Sequence, residues 1–272
     1  MEGKIVKILS NNYTVLADKR YECRARGKFR NLNITPVVGD NVIFDKTKLI
    51  IEEILPRKNF LNRPFVSNID QVLIIASVKK PDLDLYLLDK LLCIIEFNSI
   101  KPIICFTKLD LLEEHSNIDK LRKYYEKIGY QVFYNNEIDK IKKIFKNKMT
   151  VITGQSGAGK STLFNLINPD LKLNTGEISI ALGRGKHTTR YVELIDVEGG
   201  MCADTPGFSA IDFKDMSKLD IRDNMIEFNN YKCLFRDCLH DKEQECILKK
   251  NIGKNILESR YENYLKFLKE CR

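Results

Sequence analysis

The chain has 272 residues, of which 43% are hydrophobic and 30% are charged, and its formal net charge is +8. This is the composition of an ordinary globular protein, and the length allows two or three compact units. No apolar run approaches the length of a membrane span, and the first four residues carry no apolar signal core. We therefore expect a cytoplasmic protein with no membrane partner, and the positive charge indicates an anionic partner.

Residues 1–68 carry five short β-patterned runs separated by turn residues, which predicts a small β-barrel of the OB-fold type. Basic residues cluster between these runs, and Tyr21 and Phe29 are interleaved with them. Cations that bind phosphates and aromatic rings that stack on bases are what RNA binding on such a barrel needs. The alternative is a solvated basic face without a ligand. The basic cluster consists of Lys19, Arg20, Arg24, Arg26, Lys28 and Arg30.

From residue 69 to about 215, apolar strands alternate with helical patterns, which predicts an α/β domain with a parallel sheet. The continuous apolar run at 71–76 is typical of a strand buried on both faces, and a helix is expected at 84–97. Cys93 and Cys105 lie in apolar stretches and are expected in the core, not in disulfides. Further strands are predicted at 102–106, 131–134, 149–153 and 191–195, and helices at 121–128, 138–145 and 161–167.

A candidate guanine-reading tetrad, Thr107, Lys108, Leu109 and Asp110, directly follows the predicted strand 102–106. Ligands of open α/β sheets bind outside the carboxyl ends of the strands, where this tetrad lies. The Asp110 carboxylate can accept two hydrogen bonds from guanine, whereas adenine would leave a buried Asp110 unpaired. Lys108 would lay its methylenes along the base. A surface turn is the alternative interpretation.

A glycine-rich loop connects the predicted strand 149–153 to the predicted helix 161–167, in the order typical of a phosphate loop. Its glycines let backbone N–H groups close around phosphates at the positive end of the helix dipole. Lys160 would reach the β- and γ-phosphates, and the Ser161 hydroxyl would ligate Mg²⁺. A turn without a ligand is the alternative. The candidate contacts are Gly154, Gln155, Ser156, Gly157, Ala158, Gly159, Lys160 and Ser161.

Two further stretches have the pattern of GTPase switches. Asp204 opens a D-x-x-G element, in which it would hold Mg²⁺ through a water and the Gly207 N–H would sense the γ-phosphate. Upstream, the basic stretch 183–190 suits a first switch, in which Thr188 or Thr189 would complete the Mg²⁺ shell.

The group that positions the attacking water is not the usual one. Phe208 stands directly after Gly207, where Ras-like enzymes carry a water-orienting Gln, and a Phe side chain cannot orient water. His187 is the nearest polar candidate in the sequence and is therefore our candidate catalytic residue. The alternative is a histidine of the first switch that is merely exposed to solvent.

The order of these elements along the chain is reversed in one respect. An ordinary GTPase has the phosphate loop first, then D-x-x-G and then the guanine tetrad, whereas here the tetrad precedes the loop. Since all three parts are present, we predict an intact but circularly permuted GTPase domain over residues 69–215.

Residues 216–272 contain a cluster of three cysteines and one histidine. Three thiolates and an imidazole form a complete tetrahedral Zn²⁺ shell, which favours a structural site because no position stays open. The segment is polar, with little core of its own expected, so it would need a metal to hold its shape. A chance cluster of free side chains is the alternative. We predict a mainly helical zinc domain whose ligands are Cys233, Cys238, His240 and Cys246.

The N-terminal barrel, the permuted GTPase motifs and the Cys-x₄-Cys-x-His-x₅-Cys cluster together resemble the bacterial RsgA (YjeQ) family of small-subunit-dependent GTPases. The resemblance covers essentially the whole chain and includes residues 38–42, 63–64, 68–70 and 183–189. It implies zinc ligation by the four residues named above and GTP contacts at 107–110 and 154–162, which adds Thr162. Two departures, Thr107 where Asn is usual and Asn135-Asn136 where a Ser-rich loop is common, bear on nucleotide affinity.

The resemblance also implies a function. It predicts a monomer that hydrolyses GTP to GDP during late maturation of the small ribosomal subunit, with that subunit and its 16S rRNA as partners. It further implies Mg²⁺ bound with GTP and one structural Zn²⁺.

Two other functions compete with this one. A phosphate-loop kinase or ATPase that acts on a small molecule is disfavoured by the Asp110 tetrad. It is also disfavoured because the sequence shows no evident acidic residue that would act on such a substrate. A nucleotide-dependent RNA-binding module with negligible turnover is favoured by Phe208, and hydrolysis with and without ribosomal subunits separates it from a GTPase.

Overall fold

The computed structural model describes residues 1–27, 29, 35–62, 65–169, 192–204 and 212–271. Among these residues, no helix is both long enough and apolar enough to cross a membrane. The first five strands close into a barrel in the order β1-β2-β3-β5-β4, with β1 and β4 antiparallel and β3 and β5 parallel. The closed five-stranded barrel confirms the predicted OB-fold. Its strands are β1 (Glu2–Leu9), β2 (Asn12–Leu16), β3 (Arg20–Ala25), β4 (Asn41–Asp45) and β5 (Ile50–Ile54).

The barrel interior is filled by alternate strand residues, among them Ile5, Val15 and Phe44, which are fully buried. Phe29 joins this core with only 5% of its surface exposed. The expectation that Phe29 stacks on bases is therefore wrong, because its ring fills the barrel. The described members of the basic cluster are exposed, namely Lys19, Arg20, Arg24 and Arg26, and Lys28 and Arg30 lie outside the described residues.

A short hairpin that the sequence did not predict follows the barrel. A buried carboxylate holds it there, since Asp40 accepts hydrogen bonds from Arg57 Nε (2.7 Å) and from Ser67 Oγ (2.6 Å). Gly39 has φ +93°, and a Cβ at this position would lie 2.2 Å from the Ser67 carbonyl oxygen. A larger residue would push barrel and hairpin apart. The hairpin strands are β6 (Phe60–Asn62) and β7 (Phe65–Ser67).

A six-stranded sheet in the order β10-β9-β8-β11-β13-β12 forms the centre of the molecule. All neighbours are parallel except β12, which runs antiparallel to β13. The carboxyl ends of the five parallel strands therefore share one edge. The strands are β8 (Gln71–Ser77), β9 (Lys101–Thr107), β10 (Gln131–Tyr134), β11 (Met149–Gly154), β12 (Leu194–Val197) and β13 (Gly200–Asp204).

Helices cover both faces of this sheet. In β8, Val72 and Ile74 belong to one buried cluster and Leu73 and Ile75 to the other, which confirms the prediction of a strand buried on both faces. Cys93 and Cys105 are fully buried, as expected. The described α-helices are α1 (Leu85–Phe97), α2 (Ser116–Lys127), α3 (Ile138–Phe145), α4 (Lys160–Ile167), α5 (Lys218–Asp223) and α6 (Glu258–Glu270), and 3₁₀ turns occur at Leu109–Leu111, Ile226–Asn230 and Lys249–Asn251.

The C-terminal region has a hydrophobic core, which corrects the expectation of a segment with little core of its own. Phe213, Phe228 and Phe267 are buried in it together with Cys93 and Ile94 of α1. The sequence understated this core because its apolar residues are spread over several short elements and pack partly against α1.

A buried ion network joins this core to the sheet domain. Arg260 of α6 is fully buried and donates to Asp89 Oδ1 of α1 (2.7 Å) and to both carboxylate oxygens of Glu227. Tyr125 of α2 and Asn263 of α6 also donate to Asp89, at 2.7 and 2.8 Å. These bonds satisfy the buried charges and fix α6 against α1 and α2.

Most predicted elements agree with the structure to within a few residues, and β10 and α3 agree at both ends. The strand predicted at 191–195 is misplaced, because β12 begins at Leu194 and Tyr191 lies outside the described residues. The proposed domain boundaries, 1–68, 69–215 and 216–272, stay a prediction.

Candidate nucleotide and metal sites

The phosphate loop joins β11 to α4 at the carboxyl edge of the sheet. Gly154 has φ +146°, and a Cβ there would lie 2.1 Å from the Ile75 carbonyl oxygen, so only glycine fits beside β8. Gly159, at φ +91°, directly precedes α4. The Lys160 ammonium donates to the carbonyl oxygens of Gly154 (2.9 Å) and Gln155 (2.8 Å). A glycine cradle, a lysine cation and a helix N-terminus suit the phosphates of a nucleotide.

The predicted tetrad and the phosphate loop touch each other. The Thr107 hydroxyl, at the end of β9, donates a hydrogen bond of 2.6 Å to the carbonyl oxygen of Ala158 in the loop. Both residues are buried. A Cβ on Gly159 would lie 3.7 Å from Thr107 Oγ1 and 4.0 Å from Lys108 Cε, so the start of α4 faces the tetrad. The structure therefore brings two distant sequence motifs to one place.

The rest of the tetrad forms a tight turn beyond β9. Lys108 adopts a left-handed conformation with φ 62°, and its ammonium contacts the Lys80 carbonyl oxygen. Leu109 is buried and anchors the turn. The Asp110 side chain is exposed. A base placed on the tetrad would cover this carboxylate, and the role of Asp110 in reading guanine stays a prediction.

Asp204 ends β13, and its backbone lies opposite Ile152 of β11, two residues before Gly154. The D-x-x-G element thus starts next to the strand that leads into the phosphate loop. The remaining predicted switch and catalytic residues, Thr188, Thr189, His187, Gly207 and Phe208, lie outside the described residues.

Sequence reasoning missed a segment beside the phosphate loop. Lys80 and Pro81 follow β8, and a Cβ on Gly157 would lie 3.7 Å from Pro81 Cδ. Since β8 ends at the same edge as β9 and β11, the rule that ligands bind beyond the carboxyl ends of strands would have found this segment. Asn135, directly after β10, is placed at this edge as well, because its N–H donates to the Phe106 carbonyl.

A cleft of about 790 Å³ lies on the barrel and is lined in part by the basic cluster. Arg24 and Arg26 line it together with Asn12 and Tyr13. Tyr21 lies elsewhere, with its ring centroid 5.1 Å from that of Phe44. The cleft therefore offers cations and hydrogen-bonding groups to an anionic chain.

The four predicted metal ligands converge. One donor atom from each of Cys233, Cys238, His240 and Cys246 lies within 4.8 Å of every other. His240 Nδ1 is 3.5, 3.3 and 3.2 Å from the sulfurs of Cys233, Cys238 and Cys246, and the first and last sulfurs are 3.7 Å apart. A tetrahedral site with Zn–S of about 2.3 Å and Zn–N of about 2.0 Å has edges of about 3.5–3.8 Å. The cluster could therefore hold one metal ion.

The surroundings of the cluster shift the pKa values of its ligands. Burial raises the pKa of Cys238 to about 12, so this thiol needs a cation to lose its proton at neutral pH. Burial, helped by the Arg222 guanidinium, lowers the pKa of His240, which favours the neutral imidazole that ligates metals. Tyr261 of α6 donates to the His240 carbonyl at 2.7 Å and fixes the loop.

Known proteins match the chain over nearly its whole length. The family model described as RsgA GTPase matches residues 54–214, and the RsgA N-terminal domain matches residues 2–49. The "Small ribosomal subunit biogenesis GTPase RsgA" of Enterococcus faecalis is 46% identical over 282 residues, which cover 99% of this chain and 95% of that protein. The protein of the same name from Bacillus subtilis is 43% identical over 291 residues, covering 100% and 97%.

Solved structures agree with these relatives. The crystal structure of YjeQ from Thermotoga maritima superposes with a TM-score of 0.86 at 35% identity, covering 99% of this chain and 97% of that one. The structure of YloQ, described as a circularly permuted GTPase, gives a TM-score of 0.81 at 37% identity, covering 99% and 94%. Fold and motif order thus define a circularly permuted P-loop GTPase that carries an OB-fold barrel and a Cys₃His cluster. The chain belongs to the RsgA GTPase family.

Proposed function

We propose that this protein hydrolyses GTP to GDP while bound to the small ribosomal subunit, during late maturation of that subunit. The relatives that match its whole length are named for small-subunit biogenesis. The observation that carries the nucleotide assignment is the 2.6 Å bond from Thr107 to Ala158, which joins the base-reading tetrad to the phosphate loop. A single guanine nucleotide would span both.

Each predicted site residue would have a separate role in binding the nucleotide, Mg²⁺ or the attacking water. The loop from Gly154 to Thr162 wraps the phosphates, with the Lys160 ammonium on the β- and γ-phosphates and the Ser161 hydroxyl on Mg²⁺. Asp204 holds the same ion through a water, and Thr188 or Thr189 closes its shell. Thr107 to Asp110 bind guanine. His187 positions the attacking water in place of the glutamine that Phe208 replaces.

The metal in the cluster at Cys233 is proposed to be one structural zinc ion. Three thiolates and one imidazole are the ligands zinc prefers, and four protein donors leave no position for a substrate. Zinc would stabilise the thiolate forms of Cys238 and Cys246, whose pKa values burial raises, and it would hold the segment from Cys233 to Cys246 together.

The partner on the barrel is proposed to be 16S rRNA. The exposed cations Arg24 and Arg26 line the cleft, and the chain carries a net charge of +8, so phosphate contacts supply the attraction. We further propose that the protein acts in the cytoplasm, where ribosomal subunits mature, and that it acts as a monomer.

A GTPase assay titrated with purified small subunits tests this function. We expect slow turnover by the protein alone and turnover faster by orders of magnitude with subunits. Lys160→Ala should be inactive in both conditions because it removes the lysine of the loop. Large subunits at the same concentration serve as a control for contaminating GTPases. Turnover that subunits leave unchanged would contradict the proposal.

A second candidate is a nucleotide-dependent rRNA-binding module with negligible hydrolysis, which Phe208 favours. In that case GTP would strengthen subunit binding, yet the same titration would release no phosphate. The two candidates thus give opposite results in one experiment.

A further inference from the structure

The barrel and the strand that follows the predicted first switch are joined by a carboxylate. Glu193 lies directly before β12, and its Oε2 is 2.7 Å from the ammonium of Lys7 on β1. Its Oε1 is 3.4 Å from the guanidinium of Arg20 on β3. The Glu193 side chain is only 15% exposed, which keeps the pair from being fully screened by solvent.

The backbone supports this contact. Lys7 and Glu193 form an isolated antiparallel bridge, so β1 touches the chain at the point where it enters β12. The register of β1 against β2 shifts between Ile5 and Lys7. Successive side chains of a strand point to opposite faces. Ile5 accordingly belongs to the barrel core, whereas Val6 is buried in the cluster that contains Leu194.

Arg20 connects this contact to the RNA-binding face. It belongs to the basic cluster, and its side chain is 58% exposed. A phosphate can therefore contact the guanidinium of Arg20 while that group is still paired with Glu193. Lys7 is 28% exposed and is held more tightly. A phosphate that draws Arg20 away would leave Glu193 bound to Lys7 alone. Binding of an anion to the barrel thus changes the ion pairs of Glu193, the residue that precedes β12.

We infer that Glu193 is a positioning residue that couples anion binding on the barrel to the first switch, through its ion pairs with Lys7 and Arg20. This inference rests on the proposed function. The predicted switch, residues 183–190, ends three residues before Glu193 in the sequence. Glu193 therefore fixes the point from which the chain enters β12, and the barrel sets the position of Glu193. RNA bound to the barrel would then influence the first switch through Glu193, without any contact between the RNA and the nucleotide.

The test compares Glu193→Gln with Glu198→Gln. Both changes remove one carboxylate next to β12, but Glu198 pairs with Lys142 of α3, at 3.1 Å, and not with the barrel. We expect Glu193→Gln to keep the unstimulated rate, the GTP affinity and the melting temperature. Its maximal rate with small subunits should fall about 2- to 30-fold, the range for residues that couple two sites. Glu198→Gln should be stimulated like the parent.

Two further measurements separate coupling from a merely structural role. Subunit binding by Glu193→Gln should be as tight as for the parent or tighter, since Arg20 is released, whereas Arg20→Gln should weaken it. Lys7→Met should lower the maximal rate as Glu193→Gln does, and the double variant should show no further loss. Lys7→Met also carries the test if Glu193→Gln does not fold.

The outcomes are distinct. A parent that subunits stimulate, together with Glu193→Gln and Lys7→Met variants that are stimulated equally, would overturn this inference alone. Additive losses in the double variant would also overturn it. A parent that subunits do not stimulate would overturn the proposed function and the inference with it.

Discussion

The hydroxyl of Thr107 donates a 2.6 Å hydrogen bond to the carbonyl of Ala158, across 51 positions of the chain. This bond joins the predicted guanine tetrad to the phosphate loop. Both groups are buried, so removal of the donor leaves the carbonyl unsatisfied. The sheet brings the two motifs to one edge, and this bond joins them there.

Thr107→Val should weaken this junction, because it keeps the shape of the side chain and removes the donor. The loss should be about 1–3 kcal/mol, shared between stability and GTP binding. Calorimetry with GTP and a thermal melt measure the two parts. Thr107→Ser, which keeps the hydroxyl, is the matched control. If the Val variant bound GTP as tightly and melted at the same temperature as the parent, the bond would not set the site.

Asp110→Asn should change the base preference. An amide donates to the 2-oxo group of xanthine, whereas the carboxylate accepts from the 2-amino group of guanine, so GTP should bind more weakly and xanthosine triphosphate more tightly. Competition between the two nucleotides for a fluorescent analogue measures this shift. The exposed Glu113, three residues further on, gives the control Glu113→Gln. Full retention of guanine preference would remove Asp110 from the base site.

Much of this site could be predicted because it depends on strand ends. Apolar runs located β9 and β11, and motifs placed directly after them had to meet at one edge of a parallel sheet. The hairpin of β6 and β7 was missed because three-residue strands are too short to show alternation. It depends on the close approach of Gly39 to Ser67, a contact between distant positions.

Other errors also have physical causes. The strand at β12 was placed too early because Tyr191 and Val192 are strand-favouring residues, yet the Glu193 backbone pairs with β1 of the barrel and not with β13. Arg260 was not predicted as buried, because an arginine in a polar helix gives no signal of its buried partners. Phe29 was misjudged because an aromatic residue among cations fits a core and a stacking surface equally well.

Purified protein should contain about one zinc ion per chain, which elemental analysis measures. Cys238→Ser should lose the metal and loosen the region after residue 230 in hydrogen exchange, while GTP binding remains. Cys23→Ser is a suitable control, since Cys23 is buried in the barrel core and is not one of the four clustered ligands. Metal-free protein with a protected C-terminal region would contradict the zinc site.

Arg260→Met should destabilise the protein by about 3–5 kcal/mol, because it leaves the buried carboxylates of Asp89 and Glu227 without their cation. Urea denaturation measures the loss. Lys269→Met removes an exposed cation from the same helix and should have little effect. A triple variant that also carries Asp89→Asn and Glu227→Gln should recover part of the stability. If Arg260→Met were as stable as Lys269→Met, the network would not hold α6.

Activation by the subunit should separate into a binding part and a chemical part. His187→Ala should lose most of the stimulated rate and keep its GTP affinity and subunit binding, because it removes only the group proposed to position water. Arg24→Glu combined with Arg26→Glu should instead raise the subunit concentration needed for half-maximal stimulation. Its salt dependence should also be shallower, since fewer phosphate contacts release counterions.

The control for the arginine pair is Lys46→Glu combined with Lys48→Glu. It makes the same change in net charge on the barrel at exposed positions outside the basic cluster. If both pairs weakened subunit binding equally, net charge and not the cleft would attract the RNA. If His187→Ala were stimulated as fully as the parent, another group would have to position the water. The proposed role of His187 in activation would then be wrong, and the proposed GTP site would be unaffected.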